Sequence, residues 1–346
     1  MKNLFSQQKI YDLIKLIDSS KKIAIVTHVN PDGDAIGSTV AWNLFLKELS
    51  ADSTIIVPNP FPDFLKWISG SEEIQVYSQD RNKAEKLLRE CDLLFCLDFN
   101  RLSRLEGGLG DFIESLDIKT VLIDHHLGPK EDDFEMVFSV VPISSTCEIV
   151  YHIIHQITGK ECDSLPVAEA LYTGIMTDTG TFTHSTTAEL LRTVAELMEC
   201  GIDREKIHSN VNNNFSEHRM RLMGYCLYEK MTVIPEYKTA YFTLTQKELE
   251  KFNFESGDTE GFVNIPLSIK DVVLSVFFVE SKHGFIKISL RSEGEFSVDE
   301  MARKHFNGGG HKNASGGKSF VSLEETVEYF KSILPEFKEK LVSRHT

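Results

Sequence analysis

The segment HVNPDGDAIGS places His28, Asp32 and Asp34 in one turn and at the start of the helix that follows it. Three further clusters have the same character: Asp98 in CLDFN; Asp124, His125 and His126 in LIDHH; and Asp178 in GIMTDTGTF. A single aspartate at a strand end is ordinarily a cap or a turn former. Five aspartates and three histidines, all at element ends, exceed what turn chemistry needs. So many carboxylates in one crevice would repel each other and resist ionisation unless cations lay among them. Carboxylates and imidazoles without a thiolate suit manganese or magnesium, with iron or cobalt as further choices, and disfavour structural zinc. Two such ions about 3.5–4 Å apart polarise water and clamp both oxygens of an in-line displacement at phosphorus. Phosphoester hydrolysis is the chemistry these residues predict.

Apolar runs alternating with helical patterns deliver the clusters. KKIAIVTHV, STIIVP, CDLLFCLDF and TVLIDHH are short, apolar and bounded by polar residues, as buried parallel strands are. AIGSTVAWNLFLKEL, PISSTCEIVYHIIHQITG, PVAEALYTGIMTDTG and TTAELLRTVAELMECG read as helices, the second with Ser145 and Glu148 spaced as a capping box. The pattern predicts a parallel-sheet α/β domain over residues 1–200, with its ligand crevice at the carboxyl ends of the strands. His28, Asp98 and the Asp124-His125-His126 run fall there. Residues 201–231 are polar and helical, a linker. Over 232–346, KTAYFTLT, DVVLSVFFVES and GFIKISLRSE read as antiparallel strands. SVDEMARKHF and LEETVEYFKSIL read as helices flanking a glycine-rich stretch, which makes a smaller α+β domain with a mixed sheet.

Composition narrows the partners. The chain has 346 residues, 41% hydrophobic and 26% charged, with a formal net charge of −15. That charge argues against a long, sequence-independent grip on duplex nucleic acid. It leaves room for a small anion held by bound cations and a few basic residues. The N-terminal amphipathic pattern, broken by Asp12 and Asp18, lacks the core and cleavage site of a signal peptide. No apolar run is long enough to span a membrane, and the reading is cytoplasmic. The six scattered cysteines form no CxxC pair and read as buried, reduced thiols. A homodimer is left open.

HVNPDGDAIGS, CLDFN, IDHH and TDTG, in this order, resemble the four motifs of the DHH phosphoesterase superfamily, and SSTCE is similar to its segment between the third and fourth. FNGGGHKNASGG resembles the glycine-rich motif of the DHH-associated substrate-binding domain, and LRS its phosphate-contacting arginine segment. The two-domain layout resembles the NrnA-like nanoRNase and pAp phosphatase group; RecJ nucleases carry extra domains. The resemblance implies an active site in the cleft between the domains, with the metals on one wall. It assigns His28, Asp32 and Asp98 to one metal and Asp34, Asp98, His125 and Asp178 to the other, with Asp98 bridging. His126 would contact phosphate or orient the reaction, and Asp124 would fix a histidine or the turn; with Asp98 these are the catalytic candidates. Arg291, Gly308, Gly309, Gly310, His311 and Lys312 would hold substrate, with Asn313 as a further donor. One departure stands out: where many relatives carry an arginine after the TDTG motif, Phe182 is followed here by Thr183 and His184.

The activity implied is hydrolysis of short oligoribonucleotides to mononucleotides and of pAp to AMP. It would use two divalent ions, Mn2+ first, with Mg2+ or Co2+ as alternatives. Cleavage of pApA or cyclic dinucleotides, and of pyrophosphate or polyphosphate, are alternatives within the same chemistry. A nucleotide sensor without turnover is the alternative outside it, and a missing ligand would favour it; every motif position here carries a competent one. Phe262 and Phe306 are candidates for a stacking platform, with core packing as their ordinary role.

Overall fold

A strand that is apolar at every position must be covered on both faces, and the first part of the chain is built on that requirement. The computed structural model describes residues 3–343 apart from 106 and 256, so the first two residues of the N-terminal pattern lie outside the described residues. The chain divides into two units, Met1–Asn214 and Phe215–Thr346. In the first, β1 (Ile23–Thr27), β2 (Ser53–Val57), β3 (Gln75–Val76), β4 (Leu93–Leu97), β5 (Lys119–Asp124) and β6 (Met136–Ser139) form one sheet in the order β3-β2-β1-β4-β5-β6. All its pairings are parallel. The helices are α1 (Gln7–Ser19), α2 (Gly33–Glu48), α3 (Arg81–Glu90), α4 (Leu109–Glu114), α5 (Thr146–Thr158), α6 (Leu165–Asp178), α7 (Ala188–Glu199) and α8 (Arg204–Asn212).

Alternation along each strand feeds two cores. Ile23, Ile25, Phe95 and Val121 pack with Trp42 of α2, Ile153 of α5 and Leu171 of α6. Ala24, Val26, Cys96 and Leu122 pack on the other side with Leu88 of α3 and Phe112 of α4. The strand order reverses between β1 and β4, so a crevice opens at their carboxyl ends. Helix α2 is buried nearly all round and lies against α6 backbone to backbone. A Cβ on Gly37 would sit 2.6 Å from the Ala170 carbonyl oxygen, and one on Gly174 3.1 Å from Asp34 Cα. At α5, Ser145 Oγ accepts from Glu148 N at 3.1 Å. The Glu148 carboxylate turns instead to Ser144 N and Oγ, at 2.9 and 2.6 Å, so only half of the expected capping box forms. The neighbouring serine offers two donors where the cap offers one.

The helical stretch expected as a linker is shared out. Ile207 and Val211 of α8 are buried in the first unit's core, whereas Leu222 of α9 (Glu217–Tyr225) is buried in the second's. The second unit adds β7 (Thr232–Ile234), β8 (Thr239–Leu244), α10 (Gln246–Lys251), β9 (Leu274–Glu280), β10 (Ile286–Ser292), α11 (Val298–His305), β11 (Gly309–Gly310), β12 (Ala314–Ser319) and α12 (Leu323–Val342). Its sheet runs β11-β12-β10-β9-β8-β7. The sheet is mixed, as expected: β8 and β9, each read as an antiparallel strand, pair in parallel, and the other pairings are antiparallel. Between them α10 and a 3-10 turn at Phe262–Ser268 carry the chain back to its starting edge, a crossover that parallel pairing needs. Helix α12 also runs past Pro335, because Ile333, Leu334, Phe337 and Leu341 keep one buried stripe across it.

Val276, Ile288 and Leu290 pack under Met301 and Phe330 on one face of this sheet, and Phe306 is buried with them. Phe242 and Phe277 pack with Leu249 and Phe262 on the other. Phe262 and Phe306 are therefore core residues. All six cysteines are free, with Cys96, Cys147 and Cys226 buried and the rest half-buried. Among the described residues no helix is long and apolar enough to cross a membrane.

Glu248 ties this unit together. Its carboxylate accepts from Lys230 Nζ and the Tyr225 hydroxyl at 2.7 Å each and from Thr245 N at 2.8 Å. Although burial opposes it, these donors hold its pKa down to about 2. A depressed carboxylate stabilises the fold above its unfolded value of about 4.3 and loses that contribution as pH falls towards the folded value. Glu248→Gln is expected to cost about 2 kcal/mol near neutral pH and almost nothing near the folded pKa, read from urea melts at several pH values. Equal midpoints for parent and variant at neutral pH would contradict this account.

Candidate metal centre

Three adjacent strands end in the expected ligands. His28 follows β1, Asp98 follows β4, and Asp124 closes β5 ahead of His125 and His126. Asp32 caps α2, its Oδ1 accepting from the Asp34 and Ala35 N–H groups at 3.1 Å each. Asp34 lies in the first turn of that helix and Asp178 closes α6. The antiparallel crossing of these two helices sets Gly33 against Thr177, which brings both carboxylates to the crevice.

Asp98 occupies the middle. Its Oδ2 lies 3.3 Å from His28 Nε2, and its Oδ1 lies 3.6 Å from His125 Nε2. His28 Nε2 is also 3.9 Å from Asp32 Oδ1. His125 Nε2 is 3.4 Å from Asp178 Oδ2 and 3.8 Å from Asp34 Oδ2. Two groups of donors thus gather about the two oxygens of one carboxylate: His28, Asp32 and Asp98, and Asp34, His125 and Asp178 with Asp98 beside them. His28 Nδ1 lies 2.9 Å from the Val29 carbonyl oxygen. Donation to that oxygen would leave Nε2 as the nitrogen able to hold a cation. His126 Nδ1 is 2.7 Å from Asp124 Oδ1, so Asp124 orients His126 in the same manner.

The backbone is bent to hold this arrangement. Asp98 has φ +64°, a left-handed conformation that costs a non-glycine residue on the order of 1 kcal/mol or more. After Asp178, Gly180, Thr181 and Phe182 follow one another at φ +55°, +57° and +64°. Residues 180–182 therefore form a left-handed turn, pinned by Phe182 N donating to Thr179 Oγ1 at 3.0 Å.

Electrostatics mark the cost of the assembly. Burial and the carboxylates of Asp34, Asp32, Asp178 and Asp124 push Asp98 well above the ordinary carboxylate range. Burial pulls His28 below its usual value, with Asp32 opposing. At His125 burial works against the charge, but Asp178 and Asp34 outweigh it and raise the pKa. Asp124 is held low against its burial by His126. Its Oδ2 is buried without a hydrogen-bond partner among the described residues. An oxygen and imidazole donor set, strained by its own negative charge, fits divalent cations.

Sequence reasoning gave no role to Thr146 and Cys147. Their N–H groups donate to Asp34 at 2.7 and 2.9 Å, and Thr146 Oγ1 donates to Asp98 Oδ1 at 3.0 Å. The signal was SSTCE: a helix beginning at Thr146 offers free N–H groups to an anion.

In the second unit Arg291 lies on β10, opposite Ser275 of β9 and Ala314 of β12. The glycine run is the short strand β11, pairing Gly309 with Gly316 and Gly310 with Ser315. A Cβ on Gly308 would fall 1.9 Å from the Gly316 carbonyl oxygen, so glycine is demanded there by a neighbouring backbone. His311 N donates to the Ala314 carbonyl at 2.8 Å, closing the turn into β12. Lys312 Nζ is paired with Glu295 at 2.6 Å. The Asn313 amide donates to Ser292 Oγ at 2.9 Å and to the Gly294 carbonyl at 3.1 Å, which commits it to holding its own loop.

Residues 22–175 match the DHH family, N-terminal domain, and residues 236–340 match the DHHA1 domain. The bifunctional oligoribonuclease and PAP phosphatase NrnA of Thermus thermophilus is 32% identical over 89% of this chain and 86% of its own length. This chain belongs to the DHH family. The crystal structure of an exopolyphosphatase-related protein from Bacteroides fragilis is similar at 43% identity and a TM-score of 0.91, covering 99% of both chains. RecJ of Thermus thermophilus in complex with Mn2+ shares the fold at 14% identity and a TM-score of 0.57, over 98% of this chain and 55% of that one. The DHH triplet itself is Asp124, His125 and His126, at the end of β5.

Removing the central carboxylate separates stability from binding. Asp98→Asn is expected to raise the melting temperature of metal-free protein by roughly 2–5 °C, because it relieves like-charge repulsion. It is also expected to abolish the further rise that Mn2+ gives the parent. Thermal melts with EDTA and with Mn2+ check both; an undiminished metal shift in the variant would contradict the central role of Asp98.

Proposed function

We propose that the protein is a two-metal phosphoesterase that hydrolyses short oligoribonucleotides to mononucleotides and converts pAp to AMP. The observation that carries this reading is Asp98, with one oxygen 3.3 Å from His28 and the other 3.6 Å from His125. His28, Asp32 and Asp98 would hold one ion, and Asp34, Asp98, His125 and Asp178 the other, Mn2+ being the first choice for oxygen and imidazole donors. Bound there, two divalent ions supply Lewis-acid polarisation of the phosphoryl group and of water. His126, its Nδ1 directed to Asp124, offers its other nitrogen to charge developing on the phosphoryl oxygens. The names of the relatives support the choice of short RNA and pAp. Arg291 would take the terminal phosphate with its fork of donors, beside the backbone of Gly308, Gly309 and Gly310 and with His311. Lys312 would join them only by leaving Glu295. The cytoplasm is the compartment proposed.

A second reading, cleavage of pyrophosphate or polyphosphate, is favoured by the exopolyphosphatase-related relative at 43% identity. Product release with Mn2+ from pAp, a dinucleotide RNA, pApA and pyrophosphate separates the two. Mononucleotide from the RNA and AMP from pAp, both abolished by Asp98→Ala, are the expected outcome; turnover of pyrophosphate alone would select the second reading. Asp124→Asn is expected to lower kcat about 10- to 100-fold, through loss of the oriented His126. Arg291→Ala is expected to raise KM for pAp about tenfold or more with a smaller change in kcat.

A further inference from the structure

Strand β10 alternates along its length. Ile286, Ile288 and Leu290 enter the core with residues of α11 and α12, so Lys287, Ser289 and Arg291 project from the opposite face. Register continues that face onto β12, where Lys318 lies opposite Lys287, Gly316 opposite Ser289 and Ala314 opposite Arg291. Two ammonium groups directly across a strand pair repel each other. Burial lowers the pKa of Lys287, with the charge of Glu260 opposing the fall and that of Arg291 adding to it.

Beyond the lysines the face ends in aromatic rings. Phe285 and Phe320 have ring centroids 6.4 Å apart, and the His283 ring lies 6.5 Å from Phe285 with planes 17° apart. Lys318 Nζ stands 5.0 Å from the centre of the Phe285 ring. Phe320 is 70% exposed, an unusual placement for a phenylalanine. In a chain of net charge −15, residues 281–320 carry seven Lys or Arg against four Asp or Glu.

The face therefore presents, in line, rings at one end, two lysines in the middle and Arg291 at the other end. From Phe285 to Arg291 the strand covers about 20 Å, room for several nucleotides. We propose that this face of β10 and β12 is a binding track for the trailing nucleotides of a single-stranded oligonucleotide. A base stacks on Phe285 and Phe320, and Lys287 and Lys318 share one backbone phosphate. The track rests on the reading of Arg291 as the contact for the substrate's terminal phosphate. Stacking platforms beside a positive groove hold single strands without regard to sequence, because every base has a flat face. A base pair inside a duplex cannot give its face to the rings, and pAp has no trailing nucleotide to reach them.

The test is binding of dinucleotide and pentanucleotide oligoadenylates in EDTA, where no turnover occurs, by parent, Phe320→Ala and Lys318→Ala proteins. The parent is expected to hold the pentanucleotide more tightly than the dinucleotide. Phe320→Ala is expected to weaken the pentanucleotide roughly tenfold, the size of one lost stack, and the dinucleotide less than twofold. Lys318→Ala is expected to lower the salt dependence of pentanucleotide binding by about one phosphate contact. Phe320 is exposed, so its truncation leaves the fold intact. No length dependence in the parent, or equal losses for both oligonucleotides in Phe320→Ala, would overturn the track. Self-association that Phe320→Ala abolishes, with RNA affinity unchanged, would overturn it in favour of a contact between copies. Turnover of pAp with Mn2+, measured on the same proteins, tests the phosphoesterase reading independently, since the track predicts no change in it.

Discussion

Everything in the first unit serves the gathering of negative charge around Asp98. Carboxylates from four separate segments sit within a few ångströms of one another, and burial removes the water that would screen them. The sheet meets that cost by its order. Strands β1 and β4 are neighbours in space although β2 and β3 lie between them in the chain, and the crevice at their ends is open to ligands. Covering both faces of the sheet makes the strands rigid supports, and the backbone strain at Asp98 is sustained by that packing. The α5 N-terminus adds two N–H donors to Asp34, and the Thr146 hydroxyl donates to Asp98, which partly offsets the repulsion.

Glycine has a different purpose in each unit, and in neither is it looseness. In α2 and α6 it allows two helix backbones to touch, which fixes Asp34 relative to Asp178. In the second unit it lets β11 lie close against β12, so a run that resembles a flexible loop is part of a sheet. Lys312 is paired with Glu295 and Asn313 holds its own loop, and the nearby sheet face carries three more basic side chains, Arg291, Lys287 and Lys318.

The candidate ligands were legible because each sits where a local rule puts it. A histidine or aspartate after an apolar run lies at a strand end, and an aspartate before a helical pattern is its cap. The helices α2, α5, α6 and α7 were legible for the same reason, through their apolar spacing and stop residues. A mixed second sheet was expected, but that β8 and β9 are its parallel pair was not legible. Antiparallel and parallel strands have similar residue content, and the crossover between them is largely polar and short in helix. The continuation of α12 through Pro335 was missed because a proline's local cost was outweighed by burial of Phe337 and Leu341 against a distant core.

The sequence by itself determined which side chains could bind cations and at which element ends they lie, since side-chain chemistry and capping depend on residues a few positions apart. Only the tertiary structure decided that Asp98 turns one oxygen to each group, that Asp124 orients His126, and that Thr146 supports both Asp34 and Asp98. It alone placed Lys287 opposite Lys318 beside exposed rings. These arrangements depend on strand register and on which face of its sheet each residue takes. Both are fixed by the burial of apolar side chains far apart in the chain, which no local pattern records.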